Sequence, residues 1–97
     1  MVPDYLRQPP AWFYARILVG PGQILTPSFA AHYRITHVIN CAMDEYSPIW
    51  FRRRHPTRYR VLNAIDSPDV NILTWYPAFE NALYQFLRES DGVIYVH

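Results

Sequence analysis

Ninety-seven residues suffice for one domain at most, and a chain that is 51% apolar and 16% aromatic is globular rather than disordered. A formal net charge of +1 excludes a global field that would steer the protein to nucleic acid or to a membrane. At this size roughly 60 to 65 per cent of the unfolded surface is expected to be buried, enough for a small core if both faces of a sheet are covered.

All nine basic residues are arginine, and Cys41 is the single cysteine. A lone thiol cannot form an intrachain disulfide, which favours a reducing compartment. No run of 18 apolar residues exists and the N-terminus lacks a signal-peptide core. The expectation is an intracellular, cytoplasmic protein with no membrane partner.

In chain order, residues 1–11 form an arm holding three prolines and no periodicity. The domain runs from 12 to 97. Trp12 to Ala15 and Arg16 to Gly20 are two short β-type runs with little room between them, so they form a bent or tightly turned pair. Gly20-Pro21-Gly22 breaks the chain. Thr26-Pro27 reads as an N-cap followed by proline at the first helical position, opening a short helix that ends near Arg34. Thr36 to Cys41 is a strand.

Residues 43–57 are the least regular. Ser47-Pro48 can start a helical turn carrying Ile49, Trp50 and Phe51, with the run Arg52-Arg53-Arg54 after it. Arg60 to Ile65 is a strand and Asp66-Ser67-Pro68-Asp69 a turn. The strongest helix spans about 72 to 89, where Ile72, Trp75 or Tyr76, Phe79, Ala82 or Leu83 and Phe86 or Leu87 recur at helical spacing. Pro77 either kinks that helix or lies in its first turn. Gly92 then introduces Val93-Ile94-Tyr95-Val96-His97, four β-favouring residues without polar alternation. Such a run is a strand buried on both faces, inside a parallel sheet. The order is β-β-α-β-loop-β-α-β. The fold class is α/β, a mostly parallel sheet flanked by helices. With so few helices one face of that sheet is expected to lie bare, leaving Ile94 and Val96 exposed, so the fold is expected to need more chain.

Three strings, Ile35-Thr36-His37-Val38-Ile39-Asn40, Tyr59 to Asp66 and Gly92 to His97, stand in this order, and Arg16 to Gly20 precedes them. Together they resemble the dual-specificity branch of the cysteine-dependent protein tyrosine phosphatases, over Trp12 to His97. That family's signature is His-Cys-x-x-Gly-x-x-Arg-Ser/Thr, of which His97 matches the first residue. The nucleophile, the phosphate-cradling loop and the arginine would follow it. The resemblance therefore implies a phosphatase in the parent protein, with no metal or organic cofactor, and inactivity for residues 1–97 alone.

It also implies roles for single residues. Asp66 matches the general acid, which protonates a poor leaving group and then takes a proton from water. Read without the resemblance, Asp66 is a turn aspartate. Asp69 is the other candidate acid. His97 matches the histidine that braces the phosphate loop and helps lower the thiol pKa. His37 is read as structural, and Cys41 as a small buried residue. Trp75 and Tyr76 could wall the cleft, although core packing is their plainer role. Arg52, Arg53 and Arg54, near Trp50, Phe51 and Tyr59, could dock an acidic or phosphorylated partner or RNA, or form a solvated loop. The expected substrate is a phosphoprotein carrying phosphotyrosine, phosphoserine or phosphothreonine. RNA 5′-phosphatase activity and a catalytically dead phosphopeptide-binding module are the alternatives.

Overall fold

The computed structural model describes residues 10–41, 48–62 and 76–97. Within them the chain is a mixed α/β domain with a five-stranded, mostly parallel sheet in the order β1-β2-β5-β3-β4. The strands are β1 (Ala11–Tyr14), β2 (Ile17–Val19), β3 (Ile35–Asn40), β4 (Tyr59–Val61) and β5 (Val93–Val96). The helices are α1 (Pro27–Tyr33), α2 (Ile49–Arg54) and α3 (Tyr76–Glu89). β1 and β2 pair antiparallel through a tight turn, while β2, β5, β3 and β4 all run parallel. The expected arm loses its last residue to the sheet, because Ala11 pairs with Val19.

β5 lies in the sheet interior between two parallel neighbours, as its unbroken apolar run requires. The step from β2 to β3 and the step from β4 to β5 cross the sheet in opposite directions. Right-handed crossovers therefore put α1 and α3 on opposite faces. Phe29 and Ala30 of α1 and Phe51 of α2 bury Leu18, Val38 and Tyr95 on one face. Ala82 and Phe86 of α3 bury Ile17, Ile39, Ile94 and Val96 on the other. The expected bare face is therefore not found: Ile94 is 1% and Val96 8% exposed. Among the described residues, α3 covers this face by packing Ala82 and Phe86 across β2, β5 and β3 at once.

Local chemistry sets the helix ends. Thr26 caps α1, its Oγ1 accepting from the Phe29 amide at 3.2 Å, and Pro27 fills the first turn. Arg34 closes α1 in the left-handed conformation, with φ 57°. A helix does open after Pro48, but α2 continues through the arginine run rather than leaving it in a loop. α3 is described from Tyr76 onward, with Pro77 as its second described residue; residues 72–75 of the expected helix, on which the choice between a kink and a first-turn Pro77 depends, lie outside the described residues. At the other end Arg16, from the β1–β2 turn, donates to the carbonyls of Leu87 and Ser90, which satisfies the last turn of α3. Gly92 follows because a Cβ there would overlap the Thr36 side chain. β4 begins at Tyr59, one residue before the expected strand, and residues 63–65 of that expectation lie outside the described residues. Among the described residues no helix is long and apolar enough to cross a membrane.

Candidate active-site edge

Parallel strands bring their carboxyl ends to one edge of the sheet, the edge at which α/β proteins bind ligands. Here the ladder runs past the strand ends. The Gly20 amide donates to Val96 O at 3.1 Å, the His97 amide to Ile39 O at 3.0 Å, the Cys41 amide to His97 O at 2.7 Å, and the Leu62 amide to Asn40 O at 2.8 Å. These bonds hold Gly20, His97, Cys41 and Leu62 in a row, with Val96 and His97 near its middle. Asn40 is fully buried beside them, its Nδ2 donating to the Tyr59 hydroxyl at 3.1 Å.

The His97 ring sits above Gly22. A Cβ on Gly22 would stand 2.5 Å from Nδ1, so the ring occupies space that any other residue would fill. The ring lies 6.0 Å from that of Tyr95, whose hydroxyl donates to Pro21 O at 2.6 Å and pins the segment before Gly22. The Nε2 atom of His97 is buried and has no hydrogen-bond partner among the described residues. Burial pushes the imidazole pKa down to about 4, so the ring is neutral at pH 7.

Burial acts on Cys41 in the opposite sense, pushing its thiol up to about 11. Cys41 is thus a thiol, not a thiolate, at neutral pH, and it is half-buried rather than buried as expected. His37 is buried on the α3 face. Its Nδ1 lies 2.8 Å from Thr36 Oγ1, its Nε2 3.5 Å from the Glu89 carboxylate, and its ring 4.6 Å from Phe86. Burial first, and Arg58 second, hold its pKa below the usual value against the opposing pull of Glu89. It joins β3 to α3 as a structural residue.

Tyr76 stands in the first turn of α3, which runs antiparallel to the strands and so begins at the carboxyl edge. It is 49% exposed and touches Phe79 at 6.2 Å, so it is not a core residue. Asp66, Asp69 and Trp75 lie outside the described residues. Among the described residues no three His, Cys, Asp or Glu side chains gather as metal ligands do.

The arginine run does not form a single patch. Consecutive residues on a helix point about 100° apart. Arg54 folds back over the Trp50 ring at 5.7 Å, while Arg53 points to solvent. Arg54 instead joins Arg34 and His55 around a groove of about 270 Å3 between α1 and α2, floored by Ile35 and Thr36. Arg34 carried no sequence signal, because its approach to Arg54 depends on how α1 and α2 pack across β3, and His55, which follows Arg54 in the chain, carried none either. The groove opens where β3 begins, at the edge opposite His97.

Comparison with protein-family models, with curated proteins and with solved structures finds no match for this chain.

Proposed function

We propose that the protein is a cysteine-dependent phosphatase of the dual-specificity type, acting on phosphotyrosine and phosphoserine or phosphothreonine in proteins. The observation that supports this most is the placing of His97. An apolar central parallel strand delivers a neutral, half-buried histidine, whose buried Nε2 has no partner among the described residues, to the carboxyl edge of the sheet. The phosphatase signature begins with a histidine at this point. A following cysteine would attack phosphorus as its thiolate, and the bond from phosphorus to the leaving oxygen would break. Asp66, which follows β4 in sequence, would protonate that oxygen. The resulting carboxylate would take a proton from the water that hydrolyses the phosphocysteine. A neutral His97 would support the thiolate by an N–H hydrogen bond rather than by positive charge.

The test is turnover by the full-length protein. Asp66→Asn slows hydrolysis of an alkyl phosphate by about 10² to 10⁴ and of an activated aryl phosphate by less, because the better leaving group needs less protonation. Equal losses on both substrates, or a greater loss from Asp69→Asn, remove Asp66 from the role. Phosphopeptide binding without turnover identifies the dead binding module, and turnover confined to RNA 5′-phosphate ends identifies the RNA phosphatase.

A further inference from the structure

The groove between α1 and α2 has a polarity of its own. Pro27, Ala30, Ala31 and Ile35 give its lining an apolar part, while Arg34 from the end of α1, and Arg54 with His55 from the end of α2, line it as well. Among the described residues neither Arg34 nor Arg54 is paired with a carboxylate. Arg34 is also the only described residue other than glycine with positive φ. Glycine is the residue that ends helices in this conformation without strain. A long cation held there against backbone preference, at the mouth of a groove, is the kind of outlier that points to a ligand.

We propose that this groove docks an acidic segment of a partner protein. Arg34 and Arg54 take the carboxylates, and an apolar residue of the segment lies on Ala31 and Ile35. The volume, about 270 Å3, falls just below the roughly 300 to 1,000 Å3 of small-molecule pockets and suits one or two side chains. RNA fits less well, because single strands bind by stacking on open aromatic faces. Phe51 is 1% exposed, and Trp50 donates its Nε1 to Leu25 O at 2.8 Å while Arg54 covers its ring. Charge complementarity therefore selects an acidic peptide. The proposal stands on the groove alone and does not require the phosphatase reading.

The probe is a fluorescein-labelled five-residue peptide in which leucine is flanked on each side by glutamate and aspartate, titrated against the full-length protein by fluorescence anisotropy. The expected result is salt-sensitive binding that Arg34→Gly and Arg54→Gln each weaken about tenfold, the worth of one charge-assisted hydrogen bond. Arg34→Gly relieves the backbone and so does not lower the unfolding midpoint. Ala31→Tyr, which fills the groove from an exposed position without altering charge, weakens binding at least as much. Arg53→Gln, on the same helix but outside the groove, changes it less than twofold. The proposal is overturned if the peptide binds more weakly than about 1 mM. It is equally overturned if Arg53→Gln matches Arg54→Gln, if Ala31→Tyr has no effect, or if a single-stranded RNA binds more tightly through the same arginines. Turnover enters none of these readouts, so failure here leaves the phosphatase reading to its own test.

Discussion

His97 makes the fold sensitive to acid. Its pKa is about 4 in the folded protein against 6.5 for the free side chain, because burial penalises the imidazolium. Above pH 6.5 the ring is neutral in both states and its contribution is intact. As pH falls from 6.5 towards 4 the unfolded chain gains a proton that the folded chain refuses, and stability is lost. At about 1.4 kcal/mol per pKa unit the loss reaches about 3 kcal/mol at pH 4. His37, also held below its usual pKa, adds to the slope with the same sign. Chemical denaturation between pH 7 and pH 4 is expected to show His97→Gln flattening the decline relative to the parent. An unchanged slope would mean that His97 is solvated. Arg34 is the second residue whose energetics stand apart. A left-handed residue other than glycine costs roughly 1 kcal/mol, so Arg34→Gly is expected to raise stability by about that amount. A urea midpoint that falls instead would assign Arg34 a structural role.

At the scale of elements, α3 is the helix that covers one face of the sheet among the described residues. Phe86 is fully buried there, against Ile17, Ile39 and Ile94 and beside His37. Truncating a buried phenylalanine removes its transfer energy and leaves a cavity, so Phe86→Ala is expected to cost about 3 to 5 kcal/mol by denaturant titration. The exposed Tyr84 on the same helix is the control, and Tyr84→Ala is expected to stay within about 0.5 kcal/mol. Comparable losses at both positions would mean that α3 is not seated as described. The helix was legible from its apolar spacing and the cap of α1 from Thr26-Pro27. The Arg16 contacts to the α3 carboxyl end were not, since they join residues more than seventy positions apart.

For the whole molecule, the order β1-β2-β5-β3-β4 puts the last strand at the centre and the first at an edge. Amides of Tyr95 and Val96 lie between two paired strands and beneath two helical layers, whereas all four residues of β1 are exposed. Hydrogen exchange is expected to be slowest in β5 and β3 and at least about 100-fold faster in β1. Protection of β1 equal to that of β5 would contradict the topology.

By itself the sequence determined the α/β class, the two capped or periodic helices and the interior position of β5. Each of these follows from local pattern, since a short apolar run rich in β-branched and aromatic residues and preceded by glycine favours a doubly covered strand. Tertiary structure decided what depends on packing. Among the described residues it covered the face that was expected to be bare, because the apolar stripe of α3 packs across β2, β5 and β3 at once. It made His97 neutral, because the absence of a side chain at Gly22 lets the ring sink into the edge of the sheet. It also split the arginine run and set Arg54 opposite Arg34. Helical rotation turns neighbours in sequence away from each other, while the packing of α1 beside α2 brings residues twenty positions apart to one groove.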